Sequence, residues 1–209
     1  MFLLLFGLPV LFVLFYANVA TLSFARLGLS PEGAFWLFAL SLVGGMVNIP
    51  VSRRQMWVHP RPTLWDFFYY FPPRVEQQVI AVNVGGCLIP LAFSLALLLL
   101  QRAPLSTTLI ATVIVTLVTN RIARPVPGRG IVMPAFLPPL VTLATALLLA
   151  PRGAAAPVAY VSGTVGTLIG ADLLHLPSLR RMGPGVLSIG GAGVFDGIFL
   201  VGIAAAILA

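Results

Sequence analysis

The sequence predicts an all-α membrane protein, a bundle of about seven transmembrane helices, and two observations lead to this fold class. The 209 residues are 59% hydrophobic and 8% charged, with a mean hydropathy of +1.06, whereas soluble domains carry about 25% charged residues. Prolines and arginines divide the chain into apolar runs, several of which reach the length of about 20 residues that crosses a bilayer. We therefore expect one transmembrane domain over residues 1–209, placed as a multi-pass protein in the cell inner (plasma) membrane.

Seven apolar segments qualify as spans. The first lacks a basic start and is too long for the apolar core of a signal peptide, so we interpret it as a span. Prolines fall at or near the segment ends, where a missing N–H group does least harm to a helix. The segments are 2–24, 33–51, 77–101, 104–122, 131–150, 156–176 and 188–209.

Arginines distribute unevenly between the two faces that seven alternating spans create. Arg26, Arg102 and Arg152 fall on one face, and the other nine arginines fall on the opposite face. The positive-inside rule makes the face with nine arginines cytoplasmic, with the N-terminus inside and the C-terminus outside. Arginines scattered at segment ends are typical of membrane orientation and not of a nucleic-acid groove, so no nucleic-acid partner is expected.

The connection 52–76 is the one long connection between these segments. Its residues 65–71 read WDFFYYF, and aromatic side chains concentrate at the headgroup level of a membrane. We interpret 52–76 as a cytoplasmic loop that lies in the membrane interface. A surface that recruits a substrate or a partner is the second interpretation.

Two carboxylates, Asp172 and Asp196, lie inside the apolar segments. A charge at mid-bilayer costs roughly 2.5–3.5 kcal/mol, so such residues are usually retained for function. In the predicted bundle the two residues occupy neighbouring antiparallel helices, at about 6 Å and about 10 Å from the ends that meet at the cytoplasmic face. Two carboxylates in one site share a proton, and one then activates water while the other protonates a scissile carbonyl.

These residues leave three interpretations open. The first is a candidate intramembrane aspartyl protease-like hydrolase that uses the Asp172/Asp196 dyad near the cytoplasmic face. The second is a proton- or ion-coupled transporter that uses the same carboxylates. The third is a non-catalytic membrane scaffold, in which Asp196 caps a helix and Asp172 pairs with Arg180 or Arg181. The sequence therefore leaves open whether the chain is an enzyme.

Polar and irregular segments gather at the cytoplasmic end of the predicted helices. Irregular backbone at membrane depth is tolerated inside protein or along a water-filled cavity, and residues 133–139 read MPAFLPP. We expect the break at Pro134 to hold an extended substrate strand, with single-span membrane peptides as substrates and the lipid bilayer as the other partner. Metal-protease, Walker and dinucleotide motifs are absent from the sequence, so no metal and no cofactor is expected. The expected substrate-binding residues are Pro134, Ala135, Phe136, Gly193, Asn83 and Asn48.

The pair Gly166-x-x-x-Gly170 predicts a face of close helix packing. At 100° per residue, Asp172 points about 160° away from Gly170, so the carboxylate lies on a different face. His175 shares the face of Asp172 and is a candidate hydrogen-bond partner for it.

Residues 168–174 (LIGADLL) and 188–199 (SIGGAGVFDGIF) resemble a prokaryotic integral-membrane family of unknown function with a C-terminal GGAGxFDGIF signature. Residues 48–50, 124–128 and 138–140 also look like that family, so the resemblance spans nearly the whole chain. It supplies no activity.

A more distant similarity is to the GxGD (presenilin-like) intramembrane aspartyl proteases. One Asp lies on each of two successive apolar segments, and Pro134-Ala135-Phe136 resembles the Pro-Ala-aliphatic motif of presenilins. The sequence departs from the GxGD pattern at Phe195, which stands in place of the second Gly. The resemblance implies that Asp172 and Asp196 form a catalytic pair.

Overall fold

The computed structural model describes residues 27–58, 74–126 and 130–191, which form a group of packed helices and two small β-sheets. The prediction of an all-α bundle of seven spans is wrong, because strands occupy residues that mean hydropathy assigned to helices. The elements in chain order are α1 (Pro31–Gly44), β1 (Asn48–Val58), β2 (Arg74–Asn83), the π-helical segment π1 (Val84–Leu88), α2 (Ile89–Leu99), α3 (Leu105–Ile122), β3 (Arg124–Val126), β4 (Gly130–Val132), α4 (Leu137–Leu149), α5 (Ala155–Thr167), the π-helical segment π2 (Leu168–Leu173), α6 (Leu176–Arg180) and β5 (Gly185–Ile189).

The larger sheet has the strand order β1-β2-β5. β1 and β2 are antiparallel, with a register shift between Pro50 and Ser52, and β5 runs parallel to β2. β3 and β4 form a separate two-stranded antiparallel sheet. The carboxyl ends of the parallel strands β2 and β5 therefore lie at the same end of the sheet. The helical elements π1 and α2 follow directly after β2.

Two predicted spans divide where a helix meets the sheet. In the segment 33–51 the helix ends at Gly44 and β1 starts at Asn48, and in 77–101 the residues up to Asn83 belong to β2. Valine and isoleucine raise the mean hydropathy of a helix and of a strand equally, and their β-branched side chains favour strands. Hydropathy alone therefore could not place the boundary.

The remaining predicted segments have mixed outcomes. The segment 104–122 closely matches α3, whereas 131–150 shortens to α4 because β4 takes its start. The segment 2–24 and most of 188–209 lie outside the described residues. Strands replace one end of each of two predicted spans. The chain therefore does not form the seven alternating spans from which we predicted an N-terminus inside and a C-terminus outside.

The segment 52–76, which we interpreted as an interfacial loop, also contains strand residues. Residues 52–58 lie in β1 and residues 74–76 lie in β2, while 59–73 fall outside the described part of the chain. Its placement in a membrane interface stays a prediction.

Helix α5 lies at the centre of the helices and packs against α2, α3 and α4. Its side chains are almost all buried, and Phe93 of α2 meets Tyr160 of α5 edge-on, with ring centroids 5.0 Å apart. In contrast, large apolar side chains of α2, α3 and α4 are exposed along the outside of this group. The core is therefore built around one helix, and its neighbours present apolar outer faces.

The predicted glycine face is confirmed. A Cβ atom on Gly166 would lie 2.8 Å from Cβ of Val115, and one on Gly170 would lie 2.5 Å from the carbonyl oxygen of Thr116. The Thr119 hydroxyl donates to the Gly166 carbonyl at 3.2 Å, and the Asn120 amide donates to the Gly170 carbonyl at 3.2 Å. Small residues thus let α3 approach the backbone of α5 and π2, as they do between membrane helices.

Among the described residues, two helices are long and apolar enough to cross a membrane: α3, and the continuous run Ala155–Arg180 that contains α5, π2 and α6. By length and apolar composition, these two helices suggest a membrane protein. The apolar helices α1, π1–α2 and α4 are shorter.

The helices have two distinct ends. Gly44 at the end of α1 contacts Gly85 in π1, and π2 contacts β5, so these ends lie beside the larger sheet. At the other end, Gly28 before α1 contacts the Arg102 side chain between α2 and α3. We call these the sheet end and the opposite end.

Candidate functional site

Several elements meet at the sheet end: the start of β1, the end of β2, the end of β5, and both π-helical segments. π-helical turns interrupt regular helices and occur frequently at functional sites. We call this meeting point the junction, and its residues are Asn48, Asn83, Gly86, Asp172, Ser188 and Gly190.

Asn83 ties three chain segments together. Its side-chain oxygen accepts the N–H group of Gly86 at 2.7 Å, which caps the start of π1. Its amide nitrogen donates to the Gly45 carbonyl at 2.8 Å and to Oδ1 of Asn48 at 3.1 Å. Asn83 is 3% exposed, and a buried amide needs such partners because leaving it unpaired costs about 1–3 kcal/mol. Asn83 therefore fixes the end of α1 and the start of β1 against π1.

Asn48 extends the network to β5. It faces Asn83 in the β1–β2 register, and its Oδ1 atom also accepts a hydrogen bond from the Ser188 hydroxyl. Ser188 pairs with Ala81 in the β2–β5 ladder. The side chains of β1 and β5 thus meet across the end of β2.

Asp172 lies in π2 and is half-buried. Its Oδ2 atom accepts the N–H group of Gly190 at 2.7 Å, directly after β5. The carboxylate therefore fixes the point where the chain leaves the sheet and enters the glycine-rich run that continues to residue 193.

Gly190 and Gly86 bring two backbones into contact. Gly190 has a φ of 70°, in the left-handed region that favours glycine. A Cβ atom on Gly190 would lie 2.7 Å from the Gly86 carbonyl oxygen and 2.8 Å from Cβ of Cys87, and one on Gly86 would overlap the Gly190 carbonyl. No larger side chain fits at either position without moving the backbone.

The second predicted carboxylate, Asp196, lies outside the described residues, as does Gly193. Asp196 is six residues beyond Gly190, so its Cα atom lies within about 21 Å of the Cα atom of Gly190 even in a fully extended chain. The separation of the Asp172 and Asp196 carboxylates stays a prediction.

The predicted substrate-binding residues separate into two groups. Asn48 and Asn83 belong to the junction, whereas Pro134, Ala135 and Phe136 form a turn into α4, in which the Leu137 N–H group bonds to the Pro134 carbonyl at 3.3 Å. Phe136 is 73% exposed. None of the junction hydrogen bonds described above involves this turn, so its role in holding substrate stays a prediction.

His175 contacts a backbone group of π2. Its Nδ1 atom lies 3.1 Å from the Gly170 carbonyl oxygen, and a carbonyl can only accept, so Nδ1 carries the proton. This bond fixes the ring beside the end of π2.

Two junction features, Ser188 and the Gly86–Gly190 contact, were not predicted, and neither was the buried Gln78, which lies elsewhere on β2. Gln78 is 2% exposed, and its amide lies within hydrogen-bond distance of the carbonyls of Leu179 (3.2 Å), Met182 (2.8 Å) and Gly183 (3.2 Å). It thereby holds the end of α6 and the following chain against β2. A glutamine just before the apolar run 79–82 is a sequence signal for such a role, because a buried amide requires partners.

Within the ranges 27–58, 74–126 and 130–191, no group of three or more His, Cys, Asp or Glu side chains is arranged to hold a metal ion.

The model of a family described as "Protein of unknown function (DUF1614)" matches residues 42–208, which include the entire junction. Neither the curated proteins nor the solved structures contain a significant match to the chain.

Proposed function

The chain belongs to the DUF1614 family, whose function is unknown, and we propose that it is a membrane-embedded hydrolase resembling the aspartyl proteases, with Asp172 and Asp196 as its reacting pair. The GGAGxFDGIF run at 190–199 would be the part of the family's sequence that carries the second carboxylate. The similarity to GxGD proteases is part of this proposal.

The contact between Asp172 and Gly190 is the observation that carries the proposal. The Asp172 carboxylate is partly exposed and holds the first residue of the run that leads to Asp196. A helical path of six residues would place the Cα atom of Asp196 about 9 Å from that of Gly190. In the proposed site, this anchor would keep Asp196 in the neighbourhood of Asp172.

The sheet offers a place for an extended substrate. β5 is the last strand in the order β1-β2-β5, and within the described residues no strand pairs with its outer edge. Extended peptides bind to such edges by adding a strand, with main-chain hydrogen bonds supplying affinity. A peptide added along β5 would run past Gly190, so its backbone would approach Asp172.

The proposed chemistry needs both protonation states in one pair. The ionised carboxylate removes a proton from water as the water oxygen attacks the scissile carbonyl carbon, and the protonated carboxylate donates to the carbonyl oxygen. The resulting diol then collapses and the C–N bond breaks. The departing amine takes the proton that the first carboxyl removed from water, and the second carboxylate takes a proton from a diol hydroxyl, so the pair again holds one proton. Two carboxylates that share one proton supply both roles.

Exposed apolar faces support a place in the membrane. Large side chains of α3, among them Leu109, Val113 and Leu117, are more than half exposed along one helix, whereas soluble monomers rarely expose apolar patches larger than a few hundred Å². We propose a multi-pass protein of the inner membrane, with lipid against these faces and single-span membrane peptides as substrates.

Arginines support an orientation for the junction. Of the described arginines, Arg102 and Arg152 lie at the opposite end of the helices, and the others lie at the sheet end. By the positive-inside rule the sheet end, and with it Asp172, faces the cytoplasm. The arginines of the sheet end are Arg53, Arg54, Arg74, Arg121, Arg124, Arg180 and Arg181.

The experiment compares Asp172→Asn and Asp196→Asn with Glu76→Gln, a matched change of an exposed acid on β2. Cleavage of a panel of single-span membrane peptides is measured in detergent, with thermal unfolding as the folding control. We expect each Asn variant to stay folded and lose cleavage, since an amide cannot activate water, and Glu76→Gln to retain it. Full cleavage by either Asn variant would refute the dyad, and loss of folding in both would favour the scaffold interpretation.

A further inference from the structure

The far part of the β1–β2 pair projects away from the helices. We call residues 53–58 of β1 and 74–77 of β2 the outer ribbon. Residues 74–77 are all exposed, and burial of β2 begins only at Gln78. Along β1, every residue of the ribbon is exposed except Met56 and Val58, which are half-buried. The outer ribbon therefore has two open faces.

The charges of the outer ribbon are unbalanced. It carries Arg53, Arg54 and Arg74 against one acid, Glu76. The residues opposite the three arginines in the register are Val79, Gln78 and Val58, and the residue opposite Glu76 is Met56. No cross-strand pair in the ribbon therefore joins an arginine to an acid, and the ribbon presents a net positive charge.

One face of the ribbon carries an apolar pair near its end. Trp57, which is 70% exposed, lies opposite Val75, which is 47% exposed. Opposite residues in a sheet point to the same face, so the two side chains form one exposed apolar pair. Gln55 and Gln77 are the next pair on that face, and Arg53 follows them on β1.

We propose that the outer ribbon docks on the anionic headgroups of the bilayer that surrounds the helices. This inference rests on the membrane placement of the proposed function and not on its chemistry. Guanidinium groups bind phosphate in a bidentate manner, and tryptophan favours the headgroup level. An arginine near an anionic membrane surface strengthens binding by about fivefold. Arg53 shares the face of Trp57, whereas Arg54 and Arg74 lie on the other face of the ribbon. Because charges act over a Debye length of about 8 Å, arginines on both faces contribute to a salt-dependent effect.

The position of the ribbon fits this partner. β1 and β2 continue from the sheet end of the helices, where most of the described arginines lie and where the positive-inside rule places the anionic cytoplasmic leaflet. Arginines beside an exposed aromatic side chain also suit single-stranded nucleic acid, so it is the position of the ribbon next to apolar helices, and not its composition, that favours the membrane surface.

The experiment uses the full chain in lipid nanodiscs and the native tryptophans Trp36, Trp57 and Trp65. One variant, Trp36→Phe with Trp65→Phe, leaves Trp57 as the reporter of the ribbon. A second, Trp57→Phe with Trp65→Phe, leaves Trp36, which is 61% exposed on α1. Quenching by lipids brominated near the headgroup is measured in neutral nanodiscs and in nanodiscs with anionic lipid.

We expect both reporters to be quenched, with quenching of Trp57 stronger in anionic lipid and reduced by high salt. Adding Arg53→Gln, Arg54→Gln and Arg74→Gln should remove most of the anionic-lipid effect on Trp57. The matched control is Arg102→Gln with Arg152→Gln at the opposite end, which should leave it unchanged.

Quenching of Trp36 without quenching of Trp57 would refute the docking and leave the membrane placement intact. Absence of quenching at both positions would refute the membrane placement itself. If quenching of Trp57 is the same in neutral and anionic lipid and does not change with the three arginine substitutions, the role of charge is refuted. A response of Trp57 to added RNA but not to lipid would identify a different partner and overturn the inference.

Discussion

Helix α5 and its continuation π2 touch the rest of the protein in two ways. On one side Gly166 and Gly170 pack against α3, and on the other side Asp172 reaches Gly190 at the junction. Both contacts depend on glycine, but the first joins α3 to the helical run of α5 and π2, whereas the second joins π2 to the chain that leaves the sheet. The comparison separates a contact that fixes the core from a contact that places a reactive group.

Gly190→Ala should lower the free energy of unfolding the most. The alanine would have to adopt a left-handed φ, and its Cβ atom would overlap Gly86 and Cys87. A left-handed φ costs a non-glycine residue about 1–2 kcal/mol, and overpacking adds about 1–3 kcal/mol. We expect a loss of about 3–4 kcal/mol in the free energy of unfolding. Alkylation of the buried Cys87, the one cysteine of the chain, should also become faster, since Gly190 covers it.

The matched control is Gly153→Ala. Gly153 has a φ of 81°, and nothing lies within 4 Å of a Cβ atom added there. It should cost only the backbone term, about 1–2 kcal/mol, and leave Cys87 protected. Equal losses for the two variants would show that the Gly86–Gly190 contact contributes nothing.

Gly170→Ala tests the packing side of the comparison. The added Cβ atom would overlap Thr119 and approach the Thr116 carbonyl to 2.5 Å, so we expect a loss of about 2–3 kcal/mol from overpacking. Denaturant unfolding in detergent measures it, with Gly183→Ala, which meets nothing within 4 Å, as the control. An unchanged midpoint for Gly170→Ala would contradict the close approach of α3.

Asn83→Ala tests whether the junction depends on its buried amide. The change removes three hydrogen bonds to Gly45, Asn48 and Gly86, and each buried group left unpaired costs about 1–3 kcal/mol, so we expect a total near 2 kcal/mol after partial relaxation. Ser188→Ala removes one hydrogen bond to the exposed Asn48. It should therefore lower the free energy of unfolding by only about 0.5–1 kcal/mol, as expected for one solvent-accessible bond. A larger loss of stability in Ser188→Ala than in Asn83→Ala would show that Ser188, and not Asn83, holds the junction together.

Sequence patterns predicted the parts of the structure that are local. The spacing of Gly166 and Gly170 predicted the packing face, whereas the rotation of 100° per residue used to place Asp172 does not hold in the π-helical segment π2. The junction brings together residues as distant in sequence as Asn48 and Ser188, and no periodicity within one segment reports such a contact. The helix–strand boundaries near Gly44 and Asn83 were missed because a short apolar run can belong either to a strand or to a helix.

Asp172→Asn should change stability very little, and its contrast with Asp172→Ala tests the bond to Gly190. An asparagine oxygen can still accept the Gly190 N–H group, so Asp172→Asn should lose less than 1 kcal/mol, whereas Asp172→Ala removes a charge-assisted bond worth about 1.5–3 kcal/mol. Thermal unfolding compares the two variants. If both lose the same amount, the bond to Gly190 does not hold the chain after β5.

The most direct test of the central claim is the proximity of residues 172 and 196. In a Cys87→Ala background, Asp172→Cys is combined in turn with a cysteine at each position from 194 to 198, and oxidative crosslinking is measured in membranes. A disulfide requires Cα atoms within about 7 Å, and two carboxylates that share a proton lie within about 6 Å. We predict that crosslinking is fastest with Asp196→Cys. Faster crosslinking at the neighbouring positions, with none at 196, would contradict the dyad.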